Sequence, residues 1–456
     1  MPLLAAFLLG LATPLAAFAL EEPFLRWDYV DARFRTDLRQ RPVEREWESP
    51  ETSEIQLAVI AADPWGDRTI DYPSHFLPEE DGLATDGPGV TALDARTKLP
   101  LAPGFGFTGG FQGSTVSSTV DQAELNEAEL FWHGERHRIG LGRSKLRWGA
   151  GTSGSLLAGR SAPPRWQLRW RTDRVLEVPT FGWSALRGRT WSGSAFLAYL
   201  NDESRQISDP LLLGHRLSVQ PWSWFEFSLT RTILFGGDGR TSRLTLPRIV
   251  DILLARNENL GVDGSPTDSD QRASYELRLR VPREWLPALL DGVDLYWEYA
   301  GEDMVDFPIP SAVAHQMGGL VRVRDWTLGL DFVETETGAN RWYDHFVAYG
   351  PMAYTYSGFP LGHSIGGDAR LYEVTLWSPP GDLRGRVQLR SERYGFFQAA
   401  STRDFRGVEL AGQVRANRRL TVELSALRSW RTAEGSTERA PDREKLRVDF
   451  RMVWVP

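Results

Sequence analysis

The residues best suited to chemistry fall in one stretch, Asn340 to Arg370. It sets Trp342, Tyr343, Phe346, Tyr349, Tyr354 and Tyr356 among Arg341, Asp344, His345, His363, Asp368 and Arg370. Sugar recognition needs flat apolar faces for ring C–H groups and planar polar groups for hydroxyls or uronate carboxylates, and this stretch supplies both. Trp342, Tyr343, His345, Tyr354 and Tyr356 are the candidates for stacking or hydroxyl binding. Arg240, Arg341 and Arg370 are the candidates for pairing with uronates. Weak contacts repeated along a polymer add by avidity, so modest affinity per site suffices. The same composition also suits a long loop that orders itself and plugs a mouth, and the two uses are compatible.

Other chemistry has less support. None of the 7 histidines stands in an HExxH pattern. His133 and His137 are four apart, but in a strand–turn context that spacing does not put them on one helical face, so no metal site is expected. Gly109-Gly110 and Gly236-Gly237-Asp238-Gly239 lack a P-loop lysine and read as turns. The pairs Glu302/Asp303 and Glu334/Glu336 would suit a glycosidase, yet in a barrel such pairs more often line a loop or lumen. The chain has no cysteine, which excludes disulfides, thiolate metal sites and cysteine nucleophiles. The expectation is no catalytic residue, no metal and no cofactor. A net charge of −8 argues against nucleic-acid binding.

The elements that must carry these residues alternate in polarity. Leu446, Val448, Phe450, Met452 and Trp454 fall on one face of a strand and Arg447, Asp449 and Arg451 on the other. The same period of two runs through Trp166–Arg171, Tyr275–Val281, Leu320–Arg324, Val387–Arg390, Leu410–Arg415 and Leu420–Ser425. A soluble sandwich or propeller also alternates. Here the polar face is rich in Arg, Asp and Glu, as a wet lumen would be. The chain also ends on an aromatic amphipathic strand, and 18 Trp suit a membrane interface. Residues 1–19, MPLLAAFLLGLATPLAAFA, read as a signal peptide, with a short apolar run and Ala17-Phe18-Ala19 as a cleavage site.

Connector lengths give the topology. Counting back from the C-terminus, polar connectors near 431–444, 394–405, 335–369, 301–315, 236–272 and 201–214 alternate with tight ones near 417–419, 378–382, 324–326, 282–292 and 220–223. Bacterial outer-membrane barrels have short periplasmic turns and long outer loops. The expected fold is therefore all-β, a transmembrane antiparallel outer-membrane β-barrel. The length suits an even strand number, about 14 to 18. The barrel is assigned to 105–456. Residues 20–104 form an N-terminal segment, partly loop, either periplasmic or supplying first strands. Within it Glu54–Ala61 reads as a strand, Trp27, Val30, Phe34 and Leu38 recur at helical spacing, and Asp63 through Pro103 reads as loop.

Several segments, in order, resemble the capsule assembly Wzi family of Gram-negative outer-membrane proteins. They are Leu141-Gly-Arg143, Trp148-Gly-Ala-Gly, Gly154-Ser-Leu-Leu and Ser161-Ala-Pro-Pro164. Then come Arg231 with Phe235-Gly-Gly-Asp-Gly-Arg240, Asn257-Glu-Asn259-Leu, Tyr299-Ala-Gly-Glu302-Asp303 and Gly358–Asp368. Ala150 stands where the family commonly has Pro, and Ser161 where it has Asn. The resemblance covers roughly 125–456. It implies a monomeric barrel of about 18 strands with an occluded lumen, in the outer membrane among its lipids and lipopolysaccharide. Its implied activity is that of a lectin that holds capsular polysaccharide or exopolysaccharide to the cell surface, near a polysaccharide export machine. The readings to set against it are a diffusion channel or exporter for oligosaccharides, an outer-membrane enzyme using Glu302, and a scaffold for a capsule complex.

Overall fold

The structure is a computed structural model. It describes residues 54–62, 91–433 and 443–454 apart from short stretches, the longest being 180–186, 202–206, 239–243, 255–268, 336–353 and 396–402. The signal peptide and the helical pattern at 27–38 lie outside the described residues, as do Arg240, Arg341, Trp342, Tyr343 and His345.

The strands are β1 (Glu54–Ala62), β2 (Thr91–Ala102), β3 (Phe105–Val116), β4 (Thr119–His133), β5 (His137–Ser144), β6 (Arg165–Thr172), β7 (Leu176–Glu177), β8 (Thr190–Tyr199), β9 (Leu211–Trp222), β10 (Phe225–Phe235), β11 (Ser269–Val281), β12 (Gly292–Asp306), β13 (Ile309–Val323), β14 (Trp326–Glu334), β15 (Thr355–Tyr356), β16 (Phe359–Pro360), β17 (Ala369–Trp377), β18 (Leu383–Tyr394), β19 (Arg403–Asn417), β20 (Leu420–Ala433) and β21 (Arg443–Trp454). One helix, α1 (Leu246–Leu253), lies between β10 and β11. β15 and β16 form a separate hairpin, and the rest make one 19-stranded sheet. Within it β7 is two residues long and pairs only with β8. β8 pairs also with β6 and β9, and each of the other strands pairs antiparallel with two neighbours. The ring closes where β1 pairs with β21, Ile55 opposite Trp454 through Ala62 opposite Arg447. The fold is an antiparallel outer-membrane β-barrel.

Alternation decides which face is which. Along β18 the buried positions are Arg384, Arg386, Gln388, Arg390, Glu392 and Tyr394, while Leu383, Val387 and Leu389 are exposed. A soluble protein buries the other set. Apolar side chains outside and ionic ones inside are stable only where hydrocarbon is the outer solvent. No described helix is long and apolar enough to cross a membrane; in an outer-membrane barrel the strands do the crossing. Exposed Phe105, Trp132, Trp222, Trp285 and Trp326 stand at the short-turn end, with Trp222 stacked on Trp224 at 5.2 Å and Trp224 against Trp285 at 5.4 Å. Rings of this kind mark a membrane–water boundary.

Short turns at 223–224, 324–325 and 378–382 lie at one end, and the long connections from β10 to β11, β14 to β17 and β18 to β19 leave from the other. By the rule for outer-membrane barrels the second end is the outer one. Two sequence expectations change. Most of the connector expected at 301–315 is strand, because β12 through Asp306 and β13 from Ile309 extend the ladder through a register shift at Met304/Asp306, where Pro310 is tolerated. The loop expected through 103 contains β2. Its Pro100 sits at the strand end where the register shifts before Ala102. β1 and β2 therefore belong to the same sheet as the strands after 105.

Candidate functional site

Two connectors turn back into the barrel and meet there. The first runs from 145 to 164, between β5 and β6. The second is the described part of the β14–β17 connector, Tyr354 to Asp368. Both carry small residues, so their backbones lie close to other groups. A Cβ on Gly154 would come within 2.5 Å of the His363 ring, one on Gly151 would strike the Gln316 amide, and one on Gly159 the Gly362 carbonyl. The segments bond directly: Gly159 N donates to Leu361 O (2.9 Å) and the Ser161 hydroxyl to Gly362 O (3.3 Å). Around them Trp148, Leu156, Leu157, Phe196, Leu200, Tyr354, Leu361 and Ile365 form an apolar core inside the barrel, with the wall thinned to alanine at Ala198, Ala300, Ala314 and Ala369.

An inserted loop brings backbone N–H groups with no strand partner, and each must find an acceptor. Three wall carboxylates provide them. Glu276 of β11 accepts from Ala150 N (2.8 Å), and Glu298 of β12 from Leu156 N (3.2 Å). Asp331 of β14 accepts from Thr152 N (3.0 Å), Ser153 N (2.8 Å), the Ser153 hydroxyl (2.7 Å) and the Gln316 amide (3.1 Å). These carboxylates are themselves buried. Further wall charges are paired, Arg216 with Glu276 (2.6 Å), Arg278 with Asp294 (2.7 Å), Arg169 with Glu129 (2.6 Å) and Arg390 with Glu373 (3.3 Å). The inserted segments and this ionic network occupy the inside of the barrel at their level, and the charges around them are buried.

Ser153, His363 and Asp331 superficially suit acyl transfer, but the protons run the wrong way. Ile365 N donates to His363 Nδ1 (3.3 Å), so Nε2 carries the ring proton and faces the Ser153 oxygen at 3.0 Å. The serine proton then goes to Asp331, not to the imidazole, and all three groups are sealed from solvent. The trio is a latch between the two segments and the wall.

The expected sugar-site residues separate into groups. Tyr354 is 1% exposed and Tyr356 4%. The Tyr354 hydroxyl donates to Leu157 O and the Tyr356 hydroxyl to Asn201 Oδ1, each at 2.8 Å. Burial pushes the Tyr354 phenol up to about 12, so it remains a donor. Neither ring presents an open face to a sugar in this arrangement; both are packing groups that seat the second segment. Arg370 is partly exposed at the outer end of β17, with Nε 2.9 Å from Glu334 Oε1. Glu302, the carboxylate considered for catalysis, is buried 2.7 Å from Arg272 Nη2. The wall carboxylates Glu276, Glu298 and Asp331 were missed, although strand alternation already placed Glu276 on a polar face.

His363 makes the latch pH-sensitive. Burial, and then the cations Arg390 and Arg147, hold its pKa well below the usual 6.5. A depressed histidine stabilises the fold above pH 6.5, and that contribution is lost as pH falls below it, at up to about 1.4 kcal/mol per pH unit. The drop in melting temperature between pH 7.5 and 5.5 is therefore expected to be smaller in His363→Gln than in the parent by roughly one to a few degrees. Equal drops in both proteins would contradict this role.

A ring of lipid-facing strands closed over an inserted, carboxylate-held plug is an outer-membrane barrel built around an occupied lumen. The chain belongs to the capsule assembly protein Wzi family, which it matches over residues 91–431. It is similar in structure to the Escherichia coli outer-membrane protein Wzi, a carbohydrate-binding β-barrel involved in group 1 capsule assembly. The TM-score is 0.64 at 17% identity, covering 88% of this chain and 84% of that one. Two porin-like structures also align: Acinetobacter baumannii OccAB2 (TM-score 0.49, 6% identity, 88% and 98% coverage) and Pseudomonas aeruginosa OccK10 (0.49, 9%, 89% and 99%). No curated protein sequence matches the chain.

Proposed function

We propose that this protein is an outer-membrane lectin that binds capsular polysaccharide or exopolysaccharide at its outer end and attaches it to the cell surface. The observation that carries the reading is the pair of connectors inserted into the barrel. The first segment is held to the wall by Glu276, Glu298 and Asp331 and the second is bonded to the first, which leaves the outer connectors as the working face. An anchor needs no open path, and an oligosaccharide channel does. Family membership supports the ligand class. On this reading Arg341, Trp342, Tyr343 and His345 meet the polymer, with Arg240 and Arg370 pairing with acidic sugars, while buried Tyr354 and Tyr356 fix the base of the same connector. The protein acts as a monomer among outer-membrane lipids and lipopolysaccharide, beside a polysaccharide export machine, after export by the segment 1–19.

The test compares cell-bound and released polysaccharide in a strain lacking the protein, complemented by the parent or by Trp342→Ala/Tyr343→Ala. Total polymer is expected to stay constant while several-fold more appears in the medium, and only the parent should reverse this, since loss of repeated weak contacts is amplified by avidity. A fall in total polymer with none released would point to export or synthesis instead.

A further inference from the structure

Helix α1 sits on the outside of the barrel. Glu226, Ser228, Thr230 and Thr232 of β10 are the buried polar set facing the lumen. By alternation Arg231, Ile233 and Phe235 face outward. Ile252 of α1 packs on Ile233 and Phe235, with Leu211 and Leu213 of β9 alongside. Arg231 lies on a wall that otherwise meets lipid, and it reaches up to the end of this helix. Its Nη1 donates to Leu253 O (2.7 Å) and its Nη2 to Ile252 O (3.1 Å), while Gln271 of β11 also bonds to Arg231. The guanidinium thus takes up C-terminal carbonyls that the helix leaves unpaired, and the helix covers a cation that hydrocarbon would reject.

The remaining sides of the helix differ from each other. At 100° per residue, Leu246, Val250 and Leu253 form one stripe beside the barrel-facing Ile252. They are 75%, 45% and 42% exposed, and Leu254 continues the stripe at 55%. Arg248 and Asp251 lie on the third side. The height also fits. From Phe225 in the short-turn aromatic girdle to Phe235 is ten steps, roughly 33 Å of strand. At a tilt of about 40° that is about 25 Å, the height of a barrel's apolar band. The exposed stripe therefore continues the lipid-facing surface of β9 and β10, where Leu217 and Leu229 are exposed, at its outer rim.

We propose that α1 is an interfacial helix that lies in the outer leaflet of the membrane. Its Leu246–Val250–Leu253 stripe is inserted among acyl chains, its polar side faces water, and Arg231 clamps it to the wall. This rests on the barrel crossing the membrane and is independent of the polysaccharide reading. Because the protein has no cysteine, single probes can be placed cleanly. Val250→Cys, Leu253→Cys and Asp251→Cys in the full chain would each carry a fluorophore, in phospholipid vesicles with either doxyl-labelled lipid or aqueous iodide as quencher. At 250 and 253 the lipid quencher is expected to dominate, with iodide quenching at least about three-fold weaker than at 251, the asymmetry of a helix lying in an interface. Adding Arg231→Ala should restore iodide access at 253. Equal iodide access at all three positions would overturn the proposal. So would shielding of 250 and 253 from both quenchers, the signature of a protein partner or a second copy. Unchanged access after Arg231→Ala would overturn the clamp.

Discussion

Replacing Asp331 by alanine is expected to loosen the 145–164 segment and turn a nearly silent barrel into one that conducts in planar bilayers. The carboxylate accepts from two successive backbone amides, a hydroxyl and a side-chain amide in a site 4% exposed. Hydrogen bonds to a charged group are worth about 1.5–3 kcal/mol each. A cost of that size is enough to populate an open state of a loop held at few points. Glu276 and Glu298 still bind Ala150 and Leu156, so brief openings are expected rather than a constant pore. Asp331→Asn keeps one acceptor oxygen and should fall between parent and alanine variant. If Asp331→Ala proves as silent and as heat-stable as the parent, the carboxylate is not what holds the plug. The experiment also separates anchor from channel, since a parent with steady conductance would favour the channel.

The strands were legible because a pleated strand writes its two environments into alternate residues. Arg384, Arg386 and Arg390 interleaved with Leu383, Val387 and Leu389 define a wet side and an oily side whatever the rest of the chain does. The first inserted segment was not legible as part of a plug, for a physical reason. Residues 145–164 have no period, and their contacts are remote in sequence: Ala150 bonds to a residue 126 positions away and Ser153 to one 210 away. The tryptophan–glycine segment from Trp148 could be recognised as a family marker, but its glycines acquire meaning only against Gln316, His363 and Gly362. Tyr354 and Tyr356 were ambiguous by type, because a tyrosine in a long connector suits a sugar or a core equally. What decides is a Leu157 carbonyl 197 positions away. β2 was obscured by its neighbours, since Pro- and Gly-rich flanks lower a window average even when the strand itself alternates.

The largest loss of stability is expected from Arg272→Ala. Arg272 has no exposed side-chain surface. Its Nη1 lies 2.6 Å from Asp270, its Nη2 2.7 Å from Glu302, and its guanidinium carbon 4.3 Å from the centre of the Tyr354 ring. Truncation strands two buried carboxylates and removes the cation on which Tyr354 rests, a loss of about 3–5 kcal/mol by the range for broken buried pairs. Arg272→Lys keeps the charge without the planar fork that bonds both acids, and should recover only part of it. The discriminating measurement is a double-mutant cycle with Glu302→Gln, read by urea unfolding in detergent or bilayers. If the ion pair is responsible, the double variant should be less destabilised than the sum of the singles by at least about 1 kcal/mol. Additive losses would mean that Arg272 acts through packing on Tyr354 instead, and Tyr354→Leu would then reproduce most of the effect. In the ionic case the second inserted segment is held by charge through Arg272 and Tyr354 as the first is held through Asp331. The two variants should then loosen the same plug, each through a different inserted segment.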